Sequence, residues 1–177
     1  MPPSTPSFIL ANAASHRDVI HTLNLEYMEW VFAELTQITG QTVQAMLGMT
    51  LPDYVATMTD KVCSQVPPVG AFYLVESGSH IVGMGGLRSN AVGVVEVKRI
   101  YVRPSYRGQQ LGHQLLQRLL DDAKAFGYQR VVLDSAPFMQ AAHRVYEDFG
   151  FSARGPYENT EVPPELHAVW RFMELTL

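Results

Sequence analysis

Two periods of hydrophobic spacing divide the chain. Residues 8–11 (FILA) form a short apolar run that predicts a first strand. Beyond it Val19, Ile20, Leu23, Tyr27, Trp30, Val31, Leu35 and Ile38 recur at helical spacing. Ser15 reads as the N-cap of this helix, Asp18 sits in its first turn, and Gly40 ends it. Residues 42–48 and 52–63 read as two further helical pieces. Thr50 caps the second, and Pro52 falls in its first turn, where a missing N–H does no harm. Pro67-Pro68 closes this helical half.

The period then changes to that of strands. Residues 71–75 and 80–87 are joined by a hairpin loop, Glu76-Ser77-Gly78-Ser79. Gly83, Gly85 and Gly86 weaken the second strand but leave room for close backbone approach. Residues 93–102 (GVVEVKRIYV) predict a longer strand ending before Pro104. An amphipathic helix follows over 110–127, with Leu111, Leu115, Leu116, Leu119, Leu120, Ala123 and Phe126 on its apolar face. A brief strand at 131–133, a helix over 140–148 and strands over 151–154 and 167–175 complete the chain. A helix between two strands is a βαβ unit with a right-handed crossover, and the flanking hairpins make the sheet mixed. The expected class is α/β (α+β): a single three-layer domain over residues 1–177, with a flexible lead-in at 1–7, a helical half at 8–68 and a sheet half at 69–177.

Composition narrows the class of partner. At 177 residues the chain has the length of one domain and can bury roughly 70% of its unfolded surface. With 47% apolar and 17% charged residues it is neither a disordered tail nor a charge-rich coiled coil. A formal charge of −4 argues against nucleic acid or an anionic membrane as the main partner. No run approaches the ~18 apolar residues of a spanning helix, and the first residues lack the basic and apolar regions of a signal peptide. The lone cysteine, Cys63, allows no internal disulfide and fits a reducing compartment. These features predict a cytoplasmic protein, with exposed sheet edges that allow a homodimer. The histidines show no metal-ligand spacing, so no metal site is expected.

The chemistry concentrates in one stretch. Lys98, Arg99, Arg103 and Arg107 straddle a strand-to-helix loop, YVRPSYRGQQLG, in an acidic chain. The first N–H groups of a helix have no internal partner and attract anions. Gly108 lets the backbone approach a ligand, and Gly112 lets the first helical turn pack closely. The loop is neither a Walker A sequence nor a dinucleotide fingerprint. It reads as a phosphate cradle.

Arg107-Gly108-Gln109-Gln110-Leu111-Gly112 resembles the pyrophosphate motif of the GNAT acetyltransferase superfamily, Arg/Gln-x-x-Gly-x-Gly/Ala, with Gln110 in place of the middle glycine. Residues 141–151 (AAHRVYEDFGF) are similar to a second segment of that family, A-x-x-x-Y-x-x-x-G-F, with Met139 where many members carry asparagine. The resemblance implies a mixed, mostly antiparallel twisted sheet of about six to seven strands with helices on both faces. It also implies an N-acetyltransferase that moves an acetyl group from acetyl-CoA, as co-substrate, directly to an amine of a small molecule or peptide. Residues 107–112 (Arg107, Gly108, Gln109, Gln110, Leu111 and Gly112) would then hold the coenzyme's pyrophosphate. Ile100, Tyr101 and Val102 would hold its pantetheine arm, beside a strand bulge that frees a main-chain donor for the acetyl oxygen.

Such transfer needs a base for the amine and a proton source for the departing sulfur. By resemblance Tyr146 lies near that sulfur. A thiol of pKa ~8.5 can take a hydrogen bond from a phenol of pKa ~10. Its alternative is a core aromatic. Glu96, the acid amid Val94, Val95 and Val97, is the candidate base; burial would raise its pKa toward a useful range. Its alternative is an edge or solvent-facing residue paired with a basic cross-strand neighbour. The resemblance also makes Tyr27, Trp30 and Tyr157 candidates to touch the acceptor. Two rival readings remain: a non-catalytic acyl-CoA-binding module, and an acyltransferase using another acyl chain or acceptor.

Overall fold

The computed structural model describes residues 5–177. In chain order the elements are β1 (Ser7–Leu10), α1 (Arg17–Thr39), α2 (Val43–Leu47), α3 (Leu51–Val62), β2 (Ala71–Ser77), β3 (His80–Ala91), β4 (Val94–Val102), α4 (Leu111–Ala125), β5 (Arg130–Ser135), α5 (Gln140–Asp148), β6 (Ser152–Arg154) and β7 (Arg171–Thr176). The strands form one mixed sheet ordered β1-β2-β3-β4-β5-β7-β6. The β4–β5 pair is parallel and the other pairs are antiparallel. The expected mixed α/β class is what the chain forms. Of the lead-in expected at 1–7, residues 1–4 lie outside the described residues, and Ser7 already belongs to β1.

Strand alternation feeds a core on each face of the sheet. Tyr73, Val75, Val95 and Val131 meet Leu115, Leu116 and Leu119 of α4 on one side. Phe72, Leu74, Met84 and Tyr101 meet Ile20 and Leu23 of α1 on the other. Each of those three α4 leucines is 0% exposed, which is worth roughly 1.5–3 kcal/mol per side chain. Gly85 sits where α4 crosses the sheet: a Cβ there would lie 2.8 Å from Leu115 Cδ2.

Local differences from the expectation have identifiable causes. Asn12, not Ser15, satisfies the chain before α1: its Oδ1 accepts from the amides of Ala14 and Ser15, and the N-cap is His16. The β2–β3 loop is shorter than four residues, because Glu76 and Ser77 pair across the hairpin beyond a bulge. β3 runs on to Ala91 because Arg88 and Ser89 stand opposite Glu96 and Val95 of β4. β7 begins only at Arg171, because residues 167–170 continue in turns from the 3-10 turn at Pro164–Leu166, the amides of Val169 and Trp170 bonding to Leu166 O.

Two irregularities shape the centre of the sheet. The β3–β4 ladder shifts between Met84 and Gly86, where β4 carries one residue more, and Arg99 there has φ of 57. The β4–β5 ladder is confined to Val94, Val95 and Glu96, while β5 continues against β7 as far as Ser135. β4 beyond Glu96 therefore has an open edge.

Candidate active site

That open edge ends at the turn that starts α4. Pro104–Tyr106 form a single 3-10 turn, and Arg107 to Gln110 are exposed. The α4 ladder begins with the Gln114 amide bonding to Gln110 O at 3.0 Å. Among the described residues, the amides of 108–113 donate to no protein acceptor. Gln110 is the N-cap, in the left-handed conformation (φ 59), and Gly108 has φ of 79. Gln110 thus adopts the backbone that the glycine of the resembling motif would adopt freely. A Cβ at Gly108 or Gly112 would meet nothing within 4 Å. The close packing expected of Gly112 is therefore not with protein, and the space in front of the amides is open.

The four cations read as one cluster disperse, because each finds its own partner. Lys98 turns to Glu96 and Glu161, and Arg99 donates to Asn24 Oδ1 at 2.9 Å. Arg103 pairs with Glu26 at 2.7 Å. Arg107 stays at the turn, donating Nε to Val102 O and standing 5.3 Å over the Trp30 ring. The side chain of Tyr101 packs against Tyr27, and Ile100 joins the α4-side core. What residues 100–102 offer a ligand is main chain.

Tyr146, on α5, is 8% exposed and packs on Phe151 with ring centres 5.9 Å apart. Its hydroxyl makes no hydrogen bond among the described residues yet keeps some access to solvent. Burial, reinforced by the Tyr27 hydroxyl and the Asp134 carboxylate, holds this phenol well above the usual range, so it stays protonated. Burial likewise pushes Tyr27 up to about 12, with Arg99 opposing and Asp134 adding. Tyr27, Tyr146 and Asp134 thus share one neighbourhood.

Glu96 is 0% exposed. It accepts from Arg88 at 2.7 Å, Lys98 at 3.3 Å and the Tyr157 hydroxyl at 2.7 Å. Glu96 pairs with its basic cross-strand neighbour Arg88, but it is buried rather than at an edge or facing solvent. The Tyr157 hydroxyl also lies 3.0 Å from Asp134 Oδ2, and its one proton can serve one carboxylate at a time. Trp170 Nε1 donates to Asp134 Oδ1 at 2.9 Å. Glu161 bonds Arg88 at 2.7 Å and Lys98 at 2.9 Å. Burial opposes its ionisation, but Lys98 and Arg88 hold it down to about 2.

Two clefts share a wall of Lys98, Arg99 and Glu161. The larger, about 760 Å³ of space open to solvent, is bordered by Tyr27 and Phe32 of α1, Tyr54 of α3, Val97, Asp134 and Trp170. The smaller, about 490 Å³, lies over Phe72 and Leu87. Glu96 lines neither cleft; Asp134 and Glu161 are the carboxylates at the larger one. Tyr27 touches that cleft, Tyr157 stands behind Asp134, and Trp30 lies beneath Arg107.

Residues 39–151 match the model of the acetyltransferase (GNAT) family. The chain belongs to this family. It is 34% identical over 100 residues to an uncharacterized N-acetyltransferase of Schizosaccharomyces pombe, covering 55% of this chain and 61% of that protein. The match therefore spans about three fifths of that relative's length. A second relative, the uncharacterized N-acetyltransferase YjgM of Escherichia coli, is 27% identical over 144 residues, 79% of this chain and 85% of that one. The structure of the PaiA N-acetyltransferase of Thermoplasma acidophilum, in complex with coenzyme A, has the same fold: its TM-score is 0.66 over 98% of this chain and 99% of that one, at 15% identity. The GNAT match takes in the turn at 107–112, the open edge of β4 and Tyr146. Tyr157, Glu161 and Trp170 lie beyond it. Sequence reasoning missed Asp134, a single acid near a strand end with no motif around it, and it read Arg99 only as one of four cations straddling the loop.

Proposed function

We propose that this GNAT chain is an acetyl-CoA-dependent N-acetyltransferase that transfers directly to a bound amine. The observation that carries the reading is the run of unpartnered amides at 108–113 at the end of β4's open edge, with Tyr146 in the same core cluster as Leu111 and Asp134 at the larger cleft. Acetyl-CoA supplies the thioester. Gly108, Gln109, Gln110, Leu111 and Gly112 hold its diphosphate through their amides and the α4 dipole, with the charge of Arg107 added. Ile100, Tyr101 and Val102 present main chain to the pantetheine arm and a donor to the acetyl oxygen. Tyr146 keeps its proton and donates a hydrogen bond to the departing sulfur, whose proton comes from the amine by way of Asp134 and solvent. Asp134, at the larger cleft, takes the proton of the amine, and Tyr157 and Trp170 fix its orientation. Glu96 acts one hydroxyl further back, through Tyr157. Cys63 is no relay: burial pushes its thiol up to about 11, which keeps it unreactive.

Release of free thiol from acetyl-CoA in the presence of an amine mixture tests this reading. Thiol release that requires both the protein and an amine supports it. Retention of the coenzyme with no thiol released would instead make the chain a non-catalytic acyl-CoA-binding module.

A further inference from the structure

Taking the transfer to an amine above as given, we propose that Arg99 binds the carboxylate of the acceptor, which makes the acceptor an amino acid rather than a plain amine. Lys98 and Arg99 are the basic side chains bordering the larger cleft. Lys98 is committed to Glu96 and Glu161. Arg99 is in no ion pair among the described residues.

Its placement is built. The β4 bulge and a φ of 57 re-aim the side chain, at a backbone conformation L residues rarely adopt. Asn24, fully buried on α1, bonds Ile20 O through Nδ2 at 2.9 Å and receives Arg99 Nη1 on its Oδ1 at 2.9 Å. That bond fixes the plane of the guanidinium and leaves Nε and Nη2 without a protein acceptor among the described residues. A planar fork with two free donors at a cleft wall matches a carboxylate in bidentate geometry, which an ammonium group would not do as well. Asp134 borders the same cleft and suits the amine. Tyr27, Arg99 and Asp134 line the same cleft, so one small molecule can meet both charges.

The test compares thiol release from acetyl-CoA with each amino acid, its carboxamide and the matching amine lacking the carboxylate. With wild-type protein the preferred amino acid should exceed its carboxamide about 100-fold in kcat/KM, the scale of charged hydrogen bonds lost at one site. Arg99→Met should reduce this preference to a few-fold and leave the KM for acetyl-CoA unchanged; Arg99→Lys should keep part of it. The wild-type comparison stands even if a variant folds poorly. Carboxamides consumed as well as acids would overturn the proposal while leaving amine acetylation intact. So would an Arg99→Met protein with the preference unchanged and a raised KM for acetyl-CoA. Coenzyme A binding without turnover of any amine would sink the acetyltransferase reading itself, and the acceptor assignment with it.

Discussion

Replacing Glu96 with glutamine separates a structural part from a chemical one at the buried centre of the site. The substitution keeps the shape and removes the charge that Arg88 meets at 2.7 Å and Lys98 at 3.3 Å. Removing one partner of a sealed ion pair costs about 3–5 kcal/mol. The site is not sealed on the cationic side: the Arg88 and Lys98 side chains are 34% and 19% exposed, and Glu161 still holds both. The expected loss is therefore at the lower end, about 3 kcal/mol. For a chain of this size that lowers Tm by about 6–12 °C, read from thermal melts of the two proteins side by side. At a temperature where both are folded, Glu96→Gln should lower kcat less than about tenfold, since Asp134 remains at the cleft. Asp134→Asn should lower it by about 100-fold or more, the usual size of a general-base effect. A Tm within about 2 °C of wild type together with a collapse of kcat would refute this and return Glu96 to direct proton transfer.

Three further outcomes are expected. Tyr146→Phe should lower kcat at least tenfold, leave the Kd for coenzyme A unchanged and leave Tm equal or slightly raised, because the lost hydroxyl has no hydrogen bond to the protein; unchanged turnover would make Tyr146 a core residue only. In equilibrium denaturation Gly108→Ala should destabilise by about 1–2 kcal/mol, since φ is 79 there. Gln110→Gly should be neutral or stabilising by up to about 1 kcal/mol, relief of the left-handed backbone offsetting the entropy of a glycine. Glu161 has its pKa depressed to about 2, so its contribution to stability is complete above the ordinary carboxylate range and is lost as pH falls through about 2. Glu161→Gln should flatten the acid limb of a stability-against-pH curve; an unaltered limb would mean that Arg88 and Lys98 do not hold it.

Much of the fold was legible because its signals are local. The leucines of α4, the cap at Thr50, and Gly40 and Gly127 all announce their elements. What was hidden depends on pairing. The polar end of β3 looks like loop until Arg88 finds Glu96 across the ladder. The turn at 107–112 could be read because a phosphate cradle is contiguous in sequence. The acceptor side could not, since Asp134, Tyr157 and Trp170 come from three places and meet through hydrogen bonds. The bulge that aims Arg99 inverts the facing that simple alternation would assign.

Coenzyme binding depends most on the unpartnered amides at the start of α4. Titration calorimetry comparing coenzyme A with pantetheine, which lacks the diphosphate and the phosphoadenosine beyond it, together with competition by inorganic pyrophosphate, measures their contribution. Binding of coenzyme A at least ~100-fold tighter than pantetheine, about 2.7 kcal/mol or more, is the predicted result. Equal affinities, or no heat with coenzyme A, would contradict it.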